Sequence, residues 1–286
     1  MHAMTLPFYN YYLNAETDNS EYLSSSWPEL RIIAHTRHIK AVSPVVATAL
    51  SSAVYGGGML ELDRIFNIYV DRHYRCDDPP RDIEHSLNEW QERPDQCAGL
   101  LTAVRLEHTS ILEYVSDEFG LLCCTTAGVS NAARAGSART IFDAAGNINE
   151  ATTIPVSVPI APVAQTQTCT STMDFYIPGT INVMLWMNGR MTSGAMVNAI
   201  QTAVEAKAAA LADFGVADSE NGLTATGTTT DAIVLAVRQA TDEQKPLIAY
   251  AGTATVMGAA ISRLVYDTIT ESLQAGQQWK ARSREK

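Results

Sequence analysis

"TINVMLWMNGRMTSGAMVNAIQTAVEAKAAALADFG", residues 180–215, decides the fold. Its first third is a short run of apolar residues, the signature of a strand buried on both faces. Thr192 or Ser193 then stands as an N-cap, and Gly215 lies just past the far end, so a helix is predicted between them. Val197, Ile200, Val204, Ala208, Leu211 and Phe214 form its expected apolar stripe. Downstream, "TATGTTTDAIVLAVRQ" (224–239) and "KPLIAYAGT" (245–253) read as two further strands, and a last helix is predicted over roughly 255–273. Strand, helix, strand, strand, helix gives an α/β chain of the α+β type: a mixed β-sheet flanked by helices in a single large domain.

Working outward, "LRIIAHTRHI" (30–39) to "RIFNIYVDRHY" (64–74) alternates short apolar runs with turns, as strands and hairpins do. "CDDPPRDIEHSLNEW" (76–90) predicts a helix with Asp78 as N-cap, Pro79 in the first turn, and Ile83, Leu87 and Trp90 on one face. "AGLLTAVRL" (98–106) reads as a buried strand, and "SILEYVS" and "FGLLCCTTAG" as a hairpin around "DEFG" (117–120). Residues 137–177 carry no periodicity over a length unusual for a connection, which marks an insertion or flap. The expected organisation is an arm over 1–29, a domain over 30–275 and a polar tail over 276–286.

The chain has 286 residues, 46% hydrophobic and 18% charged, enough to bury a core. A net charge of −11 and a pI near 5.0 argue against a nucleic-acid partner, which would need a basic face. No apolar window is long enough to span a membrane, and the first residues lack the pattern of a signal peptide. The five cysteines have no metal spacing and read as free thiols of a reducing cytoplasm. Adjacent Cys123 and Cys124 are expected to face opposite ways on a strand. The same alternation separates the two histidines of "HTRH" (35–38), and "DRHYRCDD" (71–78) reads as a strand exit running into a charged helix start. No metal site is expected.

Signatures of zinc proteases, serine hydrolases and nucleotide-binding loops are missing. Three segments remain. "TAGVSNAARAG" (126–136) ends a strand in Gly128 and continues with Ser130, Asn131 and Arg134. If a helix begins there, its backbone N–H groups would hold an anion or an oxyanion; a capped helix start with a structural arginine is the plain alternative. "TATGTTTD" (224–231) brings Thr228, Thr229 and Thr230 to Asp231 at the lip of a buried strand. Partial desolvation there would raise the carboxyl pKa towards that of a useful base, whereas a turn cap is equally open. Asn198, Thr202 and Glu205 form a polar line on the 192–214 helix, and Asn182 and Asn188 bracket the preceding strand.

These segments, with "SSAVYGGG" (51–58), "DDP" (77–79), "GLLTAV" (99–104), the block "PGTINVMLWMNGRMTSGAMVNAIQTAVEAKAAAL" (178–211) and "AYAGTATVMGAAISRLVYDTI" (249–269), resemble the adenosylcobinamide amidohydrolase (CbiZ) family. The match runs over roughly 30–270. It implies a cytoplasmic corrinoid-salvage hydrolase that cuts the amide between a corrin propionate and aminopropanol, giving adenosylcobyric acid and 1-amino-2-propanol. The partner implied is a small-molecule corrinoid, with no nucleic acid and no membrane; a homo-oligomer is left open. No cofactor is implied, since the cobalt corrinoid is the substrate. The lengthened 137–177 segment and the N-terminal arm depart from the family pattern and bear on specificity.

Amide hydrolysis needs a nucleophile or activated water, oxyanion donors and a proton for the amine. Asp231 or Glu205 is the candidate base, Asn131 with neighbouring amides the oxyanion holder, and Thr228 the candidate nucleophile or water-positioning group. Thr229 and Thr230 are open to the same role. Gly128, Ser130, Arg134, Asn182, Asn198, Thr229 and Thr230 are candidate substrate contacts, and Trp186, Tyr55 and Met184 candidate apolar walls. Core packing is the plainer fate of Met184. Two rivals stand: a hydrolase that cuts itself before one of Thr228 to Thr230, and a corrinoid carrier without catalysis.

Overall fold

A computed structural model describes residues 6–13, 20–142, 148–149, 179–241 and 245–284. Helix α1 (Tyr9–Leu13) and strand β1 (Glu21–Leu23) lead into β2 (Arg31–Ala34), β3 (His38–Ser51) and β4 (Gly58–Tyr69). The expected arm is therefore built into the fold where it is described. β1 pairs antiparallel with β2, and Phe8 and Trp27 are fully buried. Aromatic side chains carry too much apolar surface to stay in solvent once a core is at hand.

His35 lies in the β2–β3 turn and His38 opens β3, so strand alternation does not separate them. Their rings stack 4.3 Å apart. β3 is long and broken by a bulge after Val42, where Pro44 withholds an N–H from the ladder. Its first half pairs with β2, and its second half continues the sheet elsewhere.

Helix α2 (Pro79–Glu89) starts as expected, with Asp78 Oδ1 accepting from Arg81 N, and it lays Ile83 and Leu87 on Phe66 and Cys97. β5 (Cys97–Thr102) runs parallel to β4 and ends earlier than expected. There the Thr102 hydroxyl accepts from Val104 N, and the chain turns into a single 3-10 turn, Leu106–His108. β6 (Ser110–Val115) and β7 (Gly120–Ala127) form the expected hairpin, followed by the short β8 (Ala132–Ala133). β9 (Ile141–Phe142) and β10 (Ile148–Asn149) pair with each other. Most of the expected insertion, 137–177, lies outside the described residues.

β11 (Ile181–Asn188), β12 (Arg190–Met191), α3 (Ser193–Asp213), β13 (Gly227–Thr228), β14 (Ala232–Val237), β15 (Leu247–Ile248) and α4 (Val256–Arg284) complete the chain. The main sheet has nine strands and is mixed, with β11 parallel to β14 and antiparallel to β7. Alternation along β11 serves two cores. Val183, Leu185 and Met187 face α3 and α4, whereas Met184 and Trp186 face the inner layer, where Trp186 meets Trp27 edge-on at 5.7 Å. Cys123 and Cys124 divide the same way, as expected. Burial pushes the Cys123 thiol up to about 11 and Cys124 well above its ordinary value.

Three expectations are corrected here. The α3 stripe is displaced: Val197 and Val204 are exposed, and the buried face is Ala195, Ala199, Ala203, Ala206, Ala210 and Leu211 with Met196. Small residues let the helix approach a sheet face already filled by large ones. "KPLIAYAGT" supplies only the two-residue β15, paired with β12 outside the main sheet. Beyond it the chain crosses α3, where Asn198 Oδ1 accepts from Ala251 N and Thr202 Oγ1 donates to Ala251 O. Finally, α4 continues through the expected tail to Arg284, with the Trp279 ring 4.7 Å from the Arg105 guanidinium. Among the described residues no helix is long and apolar enough to cross a membrane.

Candidate active site

Parallel pairing sets Asn182 beside Ala232, so β11 and β14 start at the same end of the sheet, and β7 finishes there. The stretch after Gly128 was expected to open a helix. Instead Gly128 N donates to Thr180 O, the chain turns at Ser130–Asn131, and β8 pairs with β13, Thr228 opposite Ala132. The side chains of Ala132 and Ala133 are small enough for this close pairing. An oxyanion site at a helix N-terminus is therefore not present. The β8–β13 ladder does something else: it brings two motifs almost a hundred residues apart into register.

At that ladder Asp231 receives four donors. Its Oδ1 accepts from Thr228 Oγ1 at 2.5 Å and from Ile181 N at 3.0 Å; its Oδ2 accepts from Thr228 N at 2.9 Å and pairs with Lys207 Nζ. Both carboxylate oxygens are thus saturated. The Asp231 and Lys207 side chains are each about nine-tenths buried. A Cβ on Gly227 would lie 2.6 Å from Asp231 Oδ2 and 2.8 Å from Lys207 Nζ, so only glycine fits above the pair.

The remaining threonines link this cluster to Asn131. Asn131 Nδ2 donates to Thr229 Oγ1 at 2.7 Å, and Thr230 Oγ1 donates to Gly179 O at 2.9 Å. Thr180 Oγ1 donates to Thr230 O at 2.7 Å. A Cβ on Gly179 would come within 2.6 Å of Asn131 Oδ1 and of Ser130 Oγ, so this glycine lets the two segments touch.

On the inner side of the same strand ends lies a cavity of about 90 Å³. Leu100, Val70 and Ala232 are among its apolar walls, and Asn182, Thr180 and Thr230 among its polar ones. Asn182 Nδ2 donates to Asn67 Oδ1 and to Leu101 O, both at 2.8 Å, and Asn67 Nδ2 donates to Thr126 Oγ1 at 2.9 Å.

The model of the adenosylcobinamide amidohydrolase family matches residues 28–281. The chain belongs to that family. Over 243 residues it is 28% identical to an adenosylcobinamide amidohydrolase of Methanosarcina mazei, covering 82% of this chain and 92% of the relative. An uncharacterized protein of Methanocaldococcus jannaschii is 29% identical over 198 residues, 68% of this chain and 69% of its own length. The family match begins at residue 28, just after the fully buried Trp27. As an adenosylcobinamide amidohydrolase family member the chain is a hydrolase acting on an amide bond.

Within this amidohydrolase the structure gathers Gly128, Ser130, Asn131, Thr228, Thr229, Thr230, Asp231 and Asn182 at one sheet end. It sets the other sequence candidates apart. Glu205 is exposed on α3, beside α4. Asn198 is committed to Ala251 N, and Arg134 donates to Thr224 O at 2.9 Å, bracing the 218–226 loop. Asn188 lies at the opposite end of β11 from Asn182 and donates to Ser26 O. Trp186 is a core residue instead of a wall, as is Met184, and Tyr55 donates its hydroxyl to Pro94 O. Sequence reasoning missed Lys207, although a lone lysine inside "EAKAAAL" carried a signal. A cation on an otherwise small, buried helix face requires a partner.

Proposed function

We propose that the chain hydrolyses the amide between the corrin propionate side chain and aminopropanol in adenosylcobinamide, with Thr228 as nucleophile and Asp231 as its base. The observation that carries this reading is the 2.5 Å contact from Thr228 Oγ1 to Asp231 Oδ1, in a carboxylate fixed by Lys207. A hydroxyl hydrogen-bonded to an oriented base is the arrangement that nucleophilic catalysis requires.

As Thr228 Oγ1 bonds to the amide carbon, its proton passes to Asp231 Oδ1, and Asn131 Nδ2 donates to the oxyanion. The C–N bond then breaks and the departing nitrogen takes that proton, leaving an ester on Thr228. Water attacks the ester, gives a proton to Asp231, and releases adenosylcobyric acid as the Thr228 hydroxyl re-forms. Lys207 holds the Asp231 carboxylate aimed between these steps. The cobalt corrinoid is substrate in this scheme and no cofactor is needed; we place the reaction in the cytoplasm.

The test is incubation of the purified chain with adenosylcobinamide, following both products by mass spectrometry. Formation of adenosylcobyric acid and 1-amino-2-propanol by the wild type, and its loss in Thr228→Ala and Asp231→Asn, supports the reading. Tight binding without product would instead make the chain a corrinoid carrier. Full turnover by Thr228→Ala would return the attack to water.

A further inference from the structure

Asp218 places a carboxylate with no solvent exposure beside β8, outside the Thr228–Asp231 cluster. Its Oδ2 accepts from Arg134 N at 2.7 Å, from Asn221 Nδ2 at 3.2 Å and from Arg139 Nη1 at 3.3 Å. Its Oδ1 accepts from Glu220 N at 2.8 Å. Burying a carboxylate is costly unless donors and a cation meet it, and here both do. An apolar side chain would fill such a position at lower cost, unless the acceptor oxygens are themselves required.

What they hold is the outer edge of β8. On the inner edge Ala133 O accepts from Thr226 N at 2.9 Å, within the pairing to β13. Backbone groups alternate along a strand, so Ala132 and Arg134 turn the other way. There Ala132 O accepts from Ser219 N at 3.2 Å, and Arg134 N meets Asp218 Oδ2 where a third strand would present a carbonyl. The 218–223 turn behind it is closed on itself, with Asp218 N donating to Leu223 O and Gly222 N to Asp218 O. Arg139 also reaches Glu220 Oε1 at 3.1 Å, which ties the chain beyond β8 to the same turn. A two-residue ladder holds its register weakly without such support. That register matters, because Asn131 directly precedes β8 and Thr228 stands opposite Ala132.

We propose that Asp218 is a positioning residue for the hydrolysis: by gripping the outer edge of β8 it fixes where Asn131 stands relative to Thr228 Oγ1, and so where the amide donor meets the oxyanion. The proposal rests on the amide-hydrolysis reading above. Asp218 touches neither the substrate nor Thr228; it acts through β8 and Asn131.

The experiment is a double-mutant cycle on the full chain, with kcat for adenosylcobinamide expressed per folded protein. Asp218→Asn keeps the size but leaves one acceptor oxygen where four donors converge. It should lower kcat by roughly 10-fold to 100-fold and leave KM within about twofold. In the Asn131→Ala background the same change should lower kcat by less than about twofold, since the group that Asp218 positions is gone. A merely structural aspartate would cost stability in both backgrounds and leave kcat per folded protein unchanged. Should Asp218→Asn not fold, Arg139→Gln loosens the same grip while sparing the other three donors; its smaller fall in kcat should likewise vanish with Asn131→Ala. Equal fractional losses in the two backgrounds, or wild-type kcat in the variant, overturn the proposal. Amide hydrogen exchange gives a readout that needs no turnover: Thr226 N, bonded to Ala133 O, should exchange about tenfold faster in the variant. Hydrolysis by the wild type with additive losses sinks the role of Asp218 and leaves the function. Faster exchange in a chain whose wild type does not hydrolyse adenosylcobinamide sinks the function and leaves Asp218 as the lock on β8.

Discussion

Lys207 Nζ and Asp231 Oδ2 form an ion pair between the middle of α3 and the start of β14, with both side chains about nine-tenths buried. It is the contact by which the helix layer reaches the candidate catalytic end of the sheet. Removing one partner leaves the other buried and unpaired. Lys207→Met is therefore expected to cost about 3–5 kcal/mol of stability, and the double variant Lys207→Met/Asp231→Asn markedly less than the sum. Urea denaturation of the four proteins checks this; strict additivity would mean that the pair is not coupled.

Thr228 presents its hydroxyl to Asp231 and its N–H to the same carboxylate. Thr228→Ser keeps both groups and should retain measurable turnover, whereas Thr228→Val keeps the shape and should lower kcat by roughly 10²-fold or more. Steady-state kinetics on adenosylcobinamide separates them. In the same preparations a denaturing gel should show one chain of 31.0 kDa. Two fragments would establish the self-cleaving alternative.

Gly227 has no room for a methyl group, since its Cβ would press on both Asp231 Oδ2 and Lys207 Nζ. Gly227→Ala should destabilise by about 1–3 kcal/mol and reduce activity beyond what the stability loss explains. Thermal melting paired with kcat on the folded fraction reads both effects. Wild-type kcat in this variant would show that the pair tolerates displacement.

Glu205 serves as the control. Exposed on α3 and outside the Asp231 cluster, it should be replaceable by Gln with stability changed by less than about 0.5 kcal/mol and kcat unaltered. A large fall in kcat for Glu205→Gln would restore it as the base.

His38 gives a pH signature. Buried between Trp90, 3.8 Å away, and His35, it is held at about 3 by desolvation first and then by the nearby positive charges of His35, Lys40 and Arg37, with Glu92 pairing Lys40. Above pH 6.5 the ring is neutral in both states. As pH falls below 6.5 the unfolded chain binds a proton that the folded chain refuses, so stability declines until about pH 3. Between pH 7.5 and 5 the loss from this group is about 2 kcal/mol, and His38→Phe should remove it from the pH profile. Denaturation midpoints of both proteins across that range provide the check.

Local chemistry fixed much of this protein within its sequence. Asp78 and Thr192 cap helices, "DEFG" turns a hairpin, and the apolar runs of β11 and β14 become strands, because each depends on neighbours a few residues away. The threonine run and Asp231 were visible for the same reason. What α3 buries was not. Its alanines give little periodic contrast, and its valines point outward because a sheet face filled by Val183, Leu185 and Met187 accepts only small side chains. Lys207 meeting Asp231, β8 pairing with β13, and Asn182 bonding to Asn67 each join residues distant along the chain. Only the tertiary structure decided them, since packing and charge burial are settled between elements and leave no short-range mark in the sequence.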